Sequence, residues 1–527
     1  MHCKCVRKAL VLILLTSIAV SMLGVVGYSQ APAEGTELVM MVHENWRGWD
    51  PRIHTRGALL QVVSLFYNAL VRFDENFVLQ PELATSWELV GDTSYIFHLR
   101  KGVLFHDGVE MTAADVKYTY DSVFNEDLDT ATWPGILENL ESVEIIDDYT
   151  VQFNTKEYFV PFPTYLLLGI LPKHYAEPLD TAGNQAEIII NPIGTGPMKM
   201  VSFPEPGLMT VERFVDYWEG VPTVSKLTTR TSQDASSRLL AVQAGDADIA
   251  WYPPPKKLDD IEADANLGLH ASQAFSVIYG WFNHSVWPLN ILKVRQALMY
   301  AMDMDKVNRI ATDNTYTRQA GPVFEDHWAY NPNINFFDQD MDKARELLGE
   351  AGFTWNGDIW EYEDGRELTF TYTTDFHWRS EPELEITNQM FAELGVVTDL
   401  DIRAWDVVWP NIKEGSLESA MGMGQRVMTA DQMMYRQFHS SMQPPNGWNY
   451  QWYSNAQVDW LLDQARVTDD QELRKLYYQA VQKIVVDEVA QIFLYRSTRH
   501  SVYGADLKDF TWSETGQFRD LVMNTYK

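Results

Sequence analysis

Residues Leu99 to Tyr120 read LRKGVLFHDGVEMTAADVKYTY. His106 and Asp107 stand side by side there, and Gly108 follows. The pair is either a catalytic couple or a piece of architecture. The local pattern favours architecture. SYIFHLR, ending at Arg100, alternates apolar and polar residues and predicts a strand. Lys101-Gly102 reads as a turn and VLFH as a second strand, and Gly108 permits positive φ in the loop that follows. Thr112 is a good helix N-cap, and Asp115 completes a capping box. Val116, Tyr120 and Val123 give that helix an apolar stripe. Catalytic pairs are set by spatial geometry rather than by adjacency, so two neighbours in a loop are not a base and its orienter.

Outward from this stretch the chain alternates strands and helices. SVEIIDDYTVQF (Ser142 to Phe153) predicts a hairpin turning at Asp147-Asp148, and Leu59 to Leu70 has helical spacing. Helices are expected over Ser236–Ala244, Lys293–Met304, Asp342–Ala351, Glu383–Leu394, Ala456–Arg466 and Gln471–Asp487. Strands are expected at LVMMVH, MKMVSF, DADIAW, Leu368–Thr373, Val396–Ile402 and QIFLYR. No internal repeat is visible, so the fold class is α/β without a fixed period. At 527 residues, two or three lobes are expected.

The N-terminus predicts an exported chain. Lys4, Arg7 and Lys8 precede an apolar run from Ala9 to Val26, and Ser29, Ala31 and Ala33 supply small residues for a signal-peptidase site. An uncleaved anchor helix is the other reading of that run. Cys3 and Cys5 are the only cysteines, both inside residues 1–33. After cleavage no thiol remains for disulfides, thiol catalysis, thiolate metal sites or lipid attachment. Removing three basic and no acidic residues takes the net charge from -32 to about -35. A polyanion of that size is not a nucleic-acid binder.

Several motifs recur in a telling order. They are Pro81-Glu82-Leu83-Ala84 with Trp87, Leu99-Arg100-Lys101-Gly102, Phe105-His106-Asp107-Gly108, and Thr112-Ala113-Ala114-Asp115-Val116. Gly194-Thr195-Gly196-Pro197, Tyr217-Trp218 and Gly245-Asp246-Ala247-Asp248-Ile249 follow. Phe282-Asn283, Val294-Arg295-Gln296-Ala297-Leu298, Ala301-Met302-Asp303 and Ala344-Arg345-Glu346-Leu347-Leu348 with Ala351-Gly352 complete the series. Over essentially the whole chain beyond the N-terminal segment, the sequence resembles the family 5 extracellular solute-binding proteins of ABC importers. That family includes oligopeptide-, dipeptide- and nickel-binding proteins.

The resemblance implies a periplasmic-binding-protein-like fold of two hinged lobes plus an inserted smaller domain. Mapped onto this chain, it implies a signal peptide over 1–33 and lobe I over 34–78. The inserted domain would take 79–190, lobe I would resume over 191–292, lobe II would take 293–486, and 487–527 would return to lobe I. The implied role is capture of an oligopeptide-type solute outside the membrane and delivery to a permease, by a monomer with no cofactor, metal site or catalytic residue. In peptide-binding relatives an Asp shortly after a Gly-Trp pair holds the peptide amine. Here the run is Gly422-Met423-Gly424-Gln425-Arg426-Val427-Met428-Thr429-Ala430-Asp431. The Gly-Trp is missing, Gln425 and Arg426 stand near the expected acid, and Asp431 comes late, which leaves it as a candidate for a displaced amine anchor. A ligand with an anionic group, or an oligosaccharide, would suit Gln425 and Arg426 better.

The chain holds 18 Trp, more than a core requires, and indole faces stack on sugar rings. Trp46, Trp49, Trp281, Trp405, Trp409, Trp448 and Trp452 are therefore candidate cleft residues, with Asn45, Arg47 and Asn283 as candidate polar contacts. An oligosaccharide ligand is the alternative reading. Two further classes rank lower. An exported hydrolase would need motifs that do not appear: His43-Glu44 has no second zinc-binding His after it, and G-x-S-x-G is missing. A nickel carrier would need more than 12 scattered His.

Overall fold

The computed structural model describes residues 35–43, 46, 48–53, 62–130, 133–375, 380–426, 428–510, 512 and 517–527. Gln425 and Arg426 are placed by their backbone alone. The N-terminal segment read as a signal peptide lies outside the described residues.

The quoted stretch folds largely as its pattern dictates. Ser94–Leu99 is a strand whose alternate residues Tyr95, Phe97 and Leu99 are buried. Thr112 caps the helix Ala113–Ser122, and the Asp115 carboxylate accepts the Thr112 N–H at 2.8 Å. The other Asp115 oxygen accepts from Lys173 N at 2.8 Å, so one side chain ties two helix starts together. VLFH makes only a single bridge, Leu104 to Glu110, instead of a strand. The reason is that the His106 N–H is taken by the carbonyl of Gly194, at 2.9 Å. The small domain is an antiparallel sheet in the order Ala84–Val90, Ser94–Leu99, Thr150–Thr155, Leu140–Asp147. The helix Ala113–Ser122 covers it, burying Val116 and Tyr120 against Phe97 and Phe153.

A second sheet of eleven strands runs through both lobes. Its order is Val397–Arg403, Thr369–Asp375, Ser419–Arg426, Leu267–Phe282, Ile492–Gly504, Ile249–Trp251, Thr36–Val42, Val224–Thr231, Leu208–Arg213 and Met198–Glu205, with Thr317–Arg318 paired beside Ile492–Gly504. The two long strands, Leu267–Phe282 and Ile492–Gly504, pair with each other and cross from one lobe to the other. In the second lobe they are covered on both faces, which is why VIYGWF, Val277 to Phe282, is apolar without alternation. Val277, Tyr279 and Trp281 enter one apolar cluster; Ile278 and Phe282 enter the other.

Most helix expectations match within a residue or two. Ala456–Arg466 and Gln471–Asp487 match at both ends. The helix expected over Lys293–Met304 ends at Ala301, because Asp303 caps a new one, Met304–Thr312, by accepting from Lys306 N at 2.8 Å. QIFLYR is the first half of a 13-residue strand. Of the helix expected over Leu59–Leu70, the part before residue 62 lies outside the described residues. Beyond it a helical turn ends at Tyr67, where Asn68 turns to bond Glu82 and Thr195.

Candidate functional site at the interlobe face

The motif residues near the small domain fasten it to lobe I. His106 bonds the Gly194 and Gly196 backbone, and Asp107 pairs with His174 at 2.6 Å. Glu82 accepts from Asn68 Nδ2 and Ala69 N, both at 2.9 Å, with Arg519 4.0 Å away. Burial pushes the Glu82 carboxyl up, against the lowering pull of Arg519 and Arg72. These groups are committed to architecture.

The crossing strands carry a register shift between Gln273 and Val277. Arg496 stands at this level: its Nε donates to Ala274 O at 2.8 Å and its Nη1 to Asp326 at 2.7 Å, over the ring of Phe324. Arg426 ends the strand Ser419–Arg426 opposite Ser276, at the same level. Beside it the hairpin turn Asp74–Val78 reaches lobe II. Asp74 Oδ1 accepts from Asn76 N and Val78 N at 2.9 and 3.0 Å and shapes the turn. Phe77 adopts φ +59° and buries its ring among Phe275, Phe324 and His327. A cavity of about 460 Å³ lies between this turn and lobe II, lined by Asn76, Val78, Trp328, Tyr330, Lys475 and Gln479 among others.

A second bridge joins the small domain to lobe II. Tyr165 donates to Asp431 Oδ2 at 2.6 Å, and Arg466 holds both Asp431 oxygens at 2.9 Å. All three side chains are buried. Burial and then the Asp431 charge push the Tyr165 phenol well up. Burial works against the Arg466 charge, but Asp431 outweighs it and holds the guanidinium protonated. Three donors from the protein itself thus converge on the Asp431 carboxylate.

The structure distributes the sequence candidates unevenly. Asn45 and Arg47 lie outside the described residues, as do the side chains of Gln425 and Arg426. Trp46 and Trp49 are core residues of lobe I with no exposed surface, and Trp46 Nε1 donates to Thr229 at 3.2 Å. Trp281 is buried in lobe II beside Tyr279 and Tyr450. Asn283 is also interior: its Nδ2 donates to Leu417 O at 2.9 Å and its Oδ1 accepts from Ser285. Trp452 lies over Gly415 and donates Nε1–H to that residue's carbonyl at 2.9 Å. Trp46, Trp49, Trp281 and Asn283 are thus packed in the interior, and Trp452 is half-buried. Trp448 lies against Arg436. Trp405 and Trp409 stack on each other at 5.3 Å, and Trp405 is 36% exposed. The reading missed Phe77, Tyr165, Arg466 and Arg496. Phe77 had a faint signal, an aromatic residue inside a polar turn.

Residues 78–445 match the family described as bacterial extracellular solute-binding proteins, family 5. A glutathione-binding protein of Pectobacterium atrosepticum is 30% identical over 460 residues, 86% of this chain and 87% of that one. The oligopeptide-binding protein AppA of Bacillus subtilis, solved with a nonapeptide, superposes with a TM-score of 0.77 at 26% identity, covering 93% of this chain and 99% of that one. NikZ of Campylobacter jejuni, solved with Ni(L-His), gives 0.77 at 27% identity over the same shares. The chain belongs to the family 5 extracellular solute-binding proteins. Among the described residues, no helix is long and apolar enough to cross a membrane.

Proposed function

We propose that this chain is the capture protein of an ABC importer and that its ligand is of peptide type. It closes two lobes on the solute, performs no covalent chemistry, and hands the solute to a membrane permease. The observation that carries the ligand class is the burial of Trp46, Trp49 and Trp281, which takes three of the seven candidate rings away from the oligosaccharide reading. The relatives named for glutathione and oligopeptide point the same way. The three protein donors already on the Asp431 carboxylate argue against an amine anchor there. Arg426, whose backbone lies where the strands cross, is the candidate partner for a carboxylate of the ligand. We further propose that residues 1–33 are a cleaved export signal, that the chain acts as a monomer, and that the lobe boundaries fall near 78, 190, 292 and 486.

Thermal shift tests the ligand class with di- to pentapeptides, glutathione, α- and β-linked oligosaccharides and Ni²⁺. A ligand at about 100 times its Kd adds ~2.7 kcal/mol, a rise of a few degrees. Peptides or glutathione raise Tm, and Arg426→Ala weakens the rise. A response to sugars alone would overturn the peptide reading, and a response to Ni²⁺ alone would replace it with a metal carrier.

A further inference from the structure

We infer that Tyr165 is a positioning residue for lobe closure, latching the inserted domain onto Asp431 of lobe II. This rests on the two-lobe, hinged reading of the fold and not on the class of ligand. Three hydrogen bonds cross the same seam. Tyr165 Oη donates to Asp431 Oδ2 at 2.6 Å, Val160 N donates to Arg466 O at 2.9 Å, and Arg436 Nη1 donates to Gly135 O at 2.7 Å. The Arg466 guanidinium also lies 5.0 Å from the centre of the Phe159 ring.

On one side of the seam, Gly135, Phe159, Val160 and Tyr165 belong to the small domain, which His106, Asp107 and Glu82 fasten to lobe I. On the other, Asp431 and Arg436 stand on the helix Ala430–Phe438 and Arg466 ends the helix Ala456–Arg466, both in lobe II. The chain passes between these bodies on the crossing strands. Rotation about those strands separates the seam while leaving the Asp431–Arg466 pair intact within lobe II. That pair is what makes Tyr165 effective. It fixes the carboxylate in one geometry and leaves a lone pair of Oδ2 aimed at the phenol, so closure orders little that is not already ordered. A hydrogen bond to a charged acceptor in a buried seam shifts a two-state equilibrium about tenfold or more.

Hydrogen exchange on ligand-free protein tests the latch. The Val160 amide reports the seam, and the amides of Thr150–Thr155 report the small domain itself. Tyr165→Phe and Arg436→Met should each speed Val160 exchange about tenfold relative to Thr150–Thr155, and small-angle scattering should show a larger radius of gyration. Tyr372→Phe removes an equally buried phenol bond, to Thr387 at 3.0 Å inside lobe II, and should leave Val160 unchanged. Equal Val160 exchange in parent, Tyr165→Phe and Arg436→Met overturns the latch. So does a ligand-free parent whose Val160 is already unprotected. Neither outcome bears on whether the ligand is a peptide.

Discussion

His106 donates its Nε2–H to the carbonyl of Gly196 at 3.0 Å, while its Nδ1 accepts the N–H of Gly194 at 3.3 Å. A carbonyl on one nitrogen and an N–H on the other leave room for one proton, so the ring is held neutral. Burial pulls its pKa down to about 4. Between the ordinary His value near 6.5 and pH 4, the unfolded chain binds a proton that the folded chain refuses. Stability should therefore fall as pH drops through that window, by roughly 2 kcal/mol from this ring after allowing for its partly exposed edge. His327, pulled down to about 3 by burial, adds a loss of the same sign. Melting curves from pH 7 to 4 check this. His106→Gln should flatten the slope, and identical slopes in parent and variant would contradict the assignment.

Arg52 lies fully buried with Asp50, its Nε and Nη2 donating to that carboxylate at 3.0 and 2.7 Å, and it reaches Asp180 as well. Removing the cation strands a buried carboxylate. Arg52→Met should cost about 3–5 kcal/mol in urea denaturation, and Asp180→Asn clearly less, since Asp50 still answers the charge.

Gly194 and Gly196 are glycines for lack of space. A Cβ on Gly194 would stand 2.1 Å from Phe66 O, and one on Gly196 2.5 Å from Leu65 O. Either alanine forces the backbone apart and should cost about 2 kcal/mol or more. Gly91, at φ +67° in open space, is the control. Its alanine variant should lose only about 1 kcal/mol by the same denaturation assay.

Trp281 and Trp405 should part company under truncation. Trp281→Ala empties a buried site and should cost about 3–5 kcal/mol. Trp405→Ala, at a half-open surface position, should cost under about 1 kcal/mol. Comparable losses would mean that the stacked Trp405–Trp409 pair carries more of lobe II than its exposure suggests.

What could be read from the chain follows physical range. Helix ends are written locally, so Thr112–Asp115 and the helix Gln471–Asp487 were legible. The HDG loop was legible as architecture for the same reason: each residue has a neighbour that explains it. Its true partners, Gly194 and Gly196, lie about ninety residues away and gave no local sign. The tryptophans misled because an indole in a loop looks alike whether the loop folds inward, as at Trp46 and Trp49, or faces a ligand. Tyr165 and Asp431 are 266 residues apart, and nothing in either neighbourhood announces the other.

The crossing of the two long strands also sets an order of manufacture. Lobe II is made from a continuous stretch and has its covering helices before Ile492–Gly504 is synthesised. Lobe I is begun first and finished last. Ile249–Trp251 waits for Ser501–Tyr503 to pair its free edge, and the rings of Trp46 and Trp251 wait for Trp512, Phe518 and Leu521. Lys527 then closes on Asp248 at 2.6 Å. A chain stopped just short of its last twenty residues would carry a finished second half attached to a first half with an open core. Such a product should be sticky and protease-sensitive, with cleavage falling in the earliest-made part of the molecule.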